Sequence, residues 1–203
     1  MSWLRWTALT TVGYALGATV GVGLLNAFAR PFGLVAGGIP FILVFGCVFG
    51  AAVAVPQVLG APRVVAHPVP WILLSALGSA AGFALAALVG ERLGDALSPT
   101  GNIIIAGGAI QGLSGATLGL AMGVAQSRAG HAPGLAGRWI LATVIGTGLG
   151  YGAAAAVLEL LEVEILRANL IPSFGAIVGA LTGLAQAAVL AGYRRPSATS
   201  ASD

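Results

Sequence analysis

Apolar stretches of about 20 residues recur six times along the chain, near 7–28, 34–56, 71–90, 102–125, 139–158 and 173–192, each long enough as a helix to cross a bilayer core of about 30 Å. Polar and charged positions collect between them. The pattern predicts six transmembrane helices in one membrane domain over 1–193, followed by a short, disordered cytoplasmic tail over 194–203. No separate soluble domain fits in the remainder, because the connections are only about 12 to 15 residues at their longest. The first stretch resembles a signal peptide in having Arg5 before an apolar run and Ala27-Phe28-Ala29 after it, but its run exceeds the 7–15 residues of such peptides, so it is expected to be a span.

Within the spans the small residues are in register. Trp-x6-Gly-x3-Gly occurs at Trp6/Gly13/Gly17, Trp71/Gly78/Gly82 and Trp139/Gly146/Gly150. Each copy is followed by the mirrored pattern Gly-x3-Gly-x6-Gln, at Gly46/Gly50/Gln57, Gly115/Gly119/Gln126 and Gly175/Gly179/Gln186. With 32 glycines in 203 residues, about one position in six is Gly, and chance does not place twelve of them in register. The chain therefore reads as three copies of a two-helix unit, about 4–60, 68–128 and 136–193. Seven and eleven residues turn a helix through about 700° and 1100°, so Trp and both glycines share one stripe. Gly-x3-Gly lets helix backbones approach in lipid, where apolar burial does not drive association. The expectation is a glycine-zippered bundle of three parallel repeats with pseudo-threefold symmetry about the membrane normal, the glycine pairs of each hairpin matched in depth. Gly→Leu at Gly82 or Gly119 is expected to disrupt it far more than Gly→Ala. The tryptophans are expected in the interfacial belt, with the glutamines accepting the indole N–H or capping last-turn backbone groups.

Composition sharpens this picture. Hydrophobic residues make up 58% of the chain and charged residues 7%, against roughly 25% charged in soluble domains. All nine basic residues are Arg, and they form no aromatic-interleaved patch, which argues against nucleic acid as a partner. Arg5, Arg63, Arg128, Arg138, Arg194 and Arg195 fall on the side of the termini, opposed only by Asp203, whereas the other side holds Arg30, Arg92 and Arg167 together with Glu91, Asp95, Glu159, Glu162 and Glu164. The positive-inside rule then places both termini in the cytoplasm, in a bacterial inner membrane. Cys47 is the only cysteine, which excludes an intramolecular disulfide and a thiol-rich metal site.

Strings that imitate catalytic or conducting motifs fail on context. Thr11-Val12-Gly13-Tyr14-Ala15 looks like a potassium-channel filter but lies inside a continuous span. Gly148-Leu149-Gly150-Tyr151-Gly152-Ala153 matches the dinucleotide fingerprint without its strand-turn-helix setting. Gly112-Leu113-Ser114-Gly115 is similar to the nucleophile motif of rhomboid proteases, yet the only histidines, His67 and His131, lie in loops. No Asp, Glu, Lys, Arg or His falls within the core of a span, which argues against ion-coupled transport. Gln111, Ser114, Thr117, Thr143, Thr147 and Thr182 supply the polar atoms at depth, for interhelical bonding or for a neutral-solute path. The stretch from Leu158 to Arg167 reads as an extension of span five or a short surface helix with a solvated acidic rim.

Gly123-Val124-Ala125-Gln126, then Arg138-Trp139-Ile140-Leu141-Ala142 and the glycines to Gly150, resemble a group of uncharacterised bacterial polytopic membrane proteins. The resemblance covers essentially all the spans and implies a family without an assigned activity. The expected function is a non-enzymatic, structural, accessory or assembly role in the membrane. The lipid bilayer and a homo-oligomer or larger membrane complex are the expected partners, and no catalytic, cofactor or metal residues are assigned. The alternative is a passive channel or facilitator for a neutral small molecule or lipid, which an open centre would favour and a dry centre would sink.

Overall fold

Proline at a helix start is tolerated because the first-turn N–H groups have no intrahelical acceptor, and three of the helices use it, with Pro40, the pair Pro68 and Pro70, and Pro172 in first turns. The computed structural model describes residues 2–28, 38–62, 64–97, 103–129, 133–161 and 170–192. Its helices are α1 Trp3–Phe28, α2 Ile39–Gly60, α3 Pro68–Leu97, α4 Ile103–Arg128, α5 Ala136–Leu160 and α6 Ile171–Gly192, with a 3-10 turn at Pro133–Leu135 leading into α5. All six are long and apolar enough to cross a membrane, with mean hydropathies from 1.2 to 2.3, which makes the chain an integral, multi-pass membrane protein. Leu16, Leu77, Leu88, Leu120 and Leu149 stand exposed on the outside of the bundle, where lipid replaces water.

Each helix packs against its neighbours in sequence, and α6 packs against α1, so the six form a closed ring. The glycines set how close the ring walls come, and they do so in one direction around it. On the odd helices, a methyl group at Gly13 would stand 2.8 Å from the Val53 carbonyl oxygen on α2, and one at Gly17 would stand 3.0 Å from that of Phe49. At Gly78 it would meet Ala125 Cβ on α4 at 2.6 Å and the Ala121 carbonyl oxygen at 3.0 Å, and Gly82 faces Leu118 of the same helix. At Gly146 and Gly150 it would meet α6, at Thr182 Cα (2.6 Å) and Val178 Cα (2.7 Å).

The even helices turn elsewhere. Gly46 and Gly50 of α2 lie against Ala80 and Ser75 of α3, so they do not oppose Gly13 and Gly17. A methyl at Gly115 or Gly119 would meet the Thr147 carbonyl oxygen at 2.8 Å or that of Thr143 at 2.6 Å, both on α5, so these two do not oppose Gly78 and Gly82. At Gly175 it would meet the Tyr14 carbonyl oxygen on α1 at 2.6 Å, and at Gly179 Tyr14 Cβ at 2.7 Å and Thr11 Cα at 2.8 Å, so Gly175 and Gly179 do not oppose Gly146 and Gly150. Odd-helix glycines thus face the partner within the same hairpin, but even-helix glycines face the next helix around the ring. The expected match in depth says nothing of direction, and the two glycine pairs of a hairpin face different helices. Each helix presents its glycine stripe to its successor, a head-to-tail contact that closes at α6–α1. Since many of the obstructing atoms are backbone, even Ala is too large at several sites without a shift of the neighbouring helix. A further set, Gly108 and Gly112 against Gly148 and Gly152, brings α4 and α5 together glycine to glycine.

Glycines outside these contacts behave differently. Gly23 is exposed, with nothing within 4 Å of a Cβ built there. Gly23→Ala is expected to leave folding intact and to raise stability by up to about 1 kcal/mol through helix propensity. The unfolding midpoint in mixed detergent–SDS micelles reads this, and a clear drop would mean that Gly23 has a packing role the ring does not give it.

The tail 194–203, His131 and the segment holding Glu162, Glu164 and Arg167 lie outside the described residues. Glu159 is described, and it does not sit on a solvated rim. Its carboxylate lies against Gly107 of α4, with Oε2 buried and, among the described residues, without a hydrogen-bond partner.

Candidate functional site

Each tryptophan of the repeated pattern is the fourth residue of its helix, so Trp6, Trp71 and Trp139 start one turn inside α1, α3 and α5. All three are fully buried and point inward, away from the lipid interface where interfacial tryptophans sit. Their rings meet edge to face, with centroids 5.5 Å apart for Trp6–Trp139, 5.9 Å for Trp71–Trp139 and 6.5 Å for Trp6–Trp71. Contact among the three indoles puts the starts of α1, α3 and α5 at the same end of the ring. Edge-to-face pairs at this spacing are favourable beyond the area they bury.

Each glutamine satisfies the indole of the next helix around the ring. Trp6 Nε1 donates to Gln186 Oε1 at 3.0 Å, Trp71 Nε1 to Gln57 Oε1 at 3.1 Å and Trp139 Nε1 to Gln126 Oε1 at 3.1 Å. The amide nitrogens point the other way around the ring. Gln57 Nε2 donates to Thr10 Oγ1 at 3.1 Å, Gln126 Nε2 to Ser75 Oγ at 3.1 Å and Gln186 Nε2 to Thr143 Oγ1 at 3.0 Å. Thr10, Ser75 and Thr143 each follow a tryptophan by four residues, one helical turn deeper. Every glutamine therefore joins the indole of one odd helix to the hydroxyl of another. Between them the bridges tie all six helices, and their donors and acceptors are neutral.

Residues between the helices cover this layer. Ala61, Val65, Ala129 and Leu135 are buried, and the first three belong to the same apolar cluster as the indoles. The backbone turns that carry them follow directly from the glutamine helices, with Ala61 N donating to the Gln57 carbonyl at 2.9 Å and Ala129 N to that of Gln126 at 3.0 Å.

A second layer lies about 12 Å deeper, eight residues beyond each tryptophan, at 1.5 Å per residue. The three positions hold Tyr14, Ser79 and Thr147, one large side chain and two small ones. Tyr14 fills the centre, fully buried, with its Oη 3.4 Å from Thr147 Oγ1 and its ring edge-on to Phe49 at 5.3 Å. Thr147 Oγ1 lies in turn 3.3 Å from Thr182 Oγ1, and Ser79 donates to Met122 Sδ at 3.3 Å. Phe45, Phe49 and Phe83 continue the filling, with centroids 4.9 to 5.9 Å apart.

Of the polar residues expected at depth, Thr143, Thr147 and Thr182 are buried and bonded inside the ring. Gln111, Ser114 and Thr117 are only partly buried, Ser114 donating to the Ala86 carbonyl and Thr117 to that of Leu113. The six do not line one path. Thr10 and Ser75 were not singled out in the sequence, although their spacing of one turn after tryptophan marked them. Tyr14 was obscured by its place in a filter-like string.

The chain matches no protein-family model, no curated protein and no solved structure. What the arrangement does is therefore argued from its geometry. Gln57→Leu removes the acceptor of Trp71 and the donor to Thr10 in a fully buried layer, and is expected to lower stability by about 1–3 kcal/mol for each polar group left unpaired. An unchanged SDS unfolding midpoint would mean that the bridge does not hold α2 to its neighbours.

Proposed function

We propose that the chain is a non-enzymatic multi-pass membrane protein with a structural, accessory or assembly role. In this reading it is built as three tandem, parallel two-helix repeats around a pseudo-threefold axis. It sits in a bacterial inner membrane with both termini cytoplasmic, and its glycine stripes act as a zipper. The observation that carries the functional reading is the filled axis, where three fully buried indoles meet above the Tyr14 layer. Passage along the axis would require breaking the indole–glutamine bonds and displacing the most voluminous side chains in the interior. Those bonds are neutral and are made within the chain, so they favour a fixed frame over a gate.

Native mass spectrometry of the chain, drawn from its host membrane in lipid nanodiscs, tests the role. A stoichiometric protein partner or a defined homo-oligomer is the expected result. A monomer that retains a small molecule would move the reading to a passive facilitator. The topology has its own test, in a Cys47→Ser background, with Arg63→Cys labelled from the cytoplasm and Asp95→Cys from outside. The reverse accessibility would overturn the proposed orientation.

A further inference from the structure

We infer that the outer groove between α5 and α6, at the tryptophan end of the bundle, binds one anionic phospholipid through one acyl chain and its headgroup. The groove has a volume of about 410 Å³ and is walled by Leu141, Ala142 and Ile145 on α5 and by Ala185 and Ala188 on α6, with Arg138 at its mouth. Arg138, Leu141 and Ile145 fall one helical turn apart on the exposed face of α5, so guanidinium and trough lie along one line parallel to the helix. An acyl chain laid in the trough brings its headgroup phosphate to the arginine.

Two further observations support a built groove rather than ordinary roughness. The residue three after each tryptophan is Leu9, Leu74 and Ala142. Leu9 and Leu74 pack against the tryptophan cluster, and the Leu9 methyls close over Gly60 between α1 and α2. At the third position Ala142 leaves that volume open. The anionic preference comes from charge. Among the described residues the lining holds Arg138 and no carboxylate. Leu135, at the N-cap of α5, offers no side-chain acceptor to the first-turn amides, so the positive end of the helix dipole adds to the guanidinium. Arginine holds phosphate through two parallel N–H donors, and basic pockets between membrane helices take anionic headgroups.

The inference rests on membrane insertion alone, and its failure would leave the accessory reading standing. The test is native mass spectrometry of the purified chain, titrated separately with phosphatidylglycerol and phosphatidylcholine of identical acyl chains. The unaltered chain is expected to retain one phosphatidylglycerol at least tenfold more tightly than phosphatidylcholine. Arg138→Gln is expected to remove that preference, a loss of about tenfold corresponding to one charge-assisted contact. Ala142→Leu, which installs the side chain found after Trp6 and Trp71, is expected to lower retention of both lipids. Arg5→Gln is expected to change nothing, because Leu9 already occupies the equivalent space beside α2. Equal retention of the two lipids by the unaltered chain, or equal effects of Arg138→Gln and Arg5→Gln, would overturn the inference. These two readouts decide it even if Ala142→Leu does not fold.

Discussion

Gly119→Leu is expected to yield a chain that inserts but does not close into a stable ring, and Gly119→Ala one that closes with stability lowered by about 1–3 kcal/mol, the usual range for overpacking. The reason is the identity of the obstructing atoms. A methyl at Gly119 meets the Thr143 carbonyl oxygen at 2.6 Å and Val144 Cα at 3.0 Å, so relief requires moving α5 away from α4. That movement would also disturb Trp139 and its bond to Gln126, which lies toward the tryptophan end of the same helix pair. Gly82→Ala provides the contrast. Its nearest obstacle, at 2.8 Å, is Leu118 Cδ1, the far end of a flexible side chain, and the smaller effect is expected there. SDS unfolding midpoints and size-exclusion profiles in mild detergent read both. Equal stability of Gly119→Ala and the unaltered chain would refute the close approach of α4 and α5.

Trp139→Ala is expected to lower stability by about 3–5 kcal/mol, the range for removing a buried large aromatic side chain. It empties the centre of the layer, where Trp139 touches both other indoles, and it leaves Gln126 Oε1 without its donor. Trp139→Phe keeps most of the volume and deletes the N–H, so about 1–3 kcal/mol is expected for the orphaned acceptor. The order Ala, then Phe, then unaltered in ascending unfolding midpoint separates packing from hydrogen bonding. A Phe variant as weak as the Ala variant would place nearly all the energy in the glutamine bridge.

The six spans were legible because a helix crossing lipid must satisfy its own backbone and show apolar side chains for about 20 residues, a signal that survives without any tertiary knowledge. The glycines were legible as contacts for a similar reason, since little else explains Gly at Gly115 and Gly119 in register with Gly46 and Gly50. Their direction was not. Whether Gly115 faces α3 or α5, or Gly179 faces α5 or α1, depends on which way the helices turn around the ring, and spacing along one helix carries no such information. The tryptophans were placed at the interface because a Trp near a span end usually lies there. What turns Trp71 inward is Gln57 on the preceding helix, fourteen residues away, whose oxygen accepts its N–H. The filling of the axis depended on one large side chain, Tyr14, at the place eight residues after a tryptophan where α3 and α5 carry Ser79 and Thr147.

The most direct measurement for a frame with a filled axis is solute flux through proteoliposomes of the unaltered chain, followed by stopped-flow light scattering with water, glycerol and urea. The expected result is a permeability equal to that of protein-free vesicles for all three. A protein-dependent flux of any of them, unchanged by the lipid-groove substitutions, would contradict the filled axis and make the chain a facilitator.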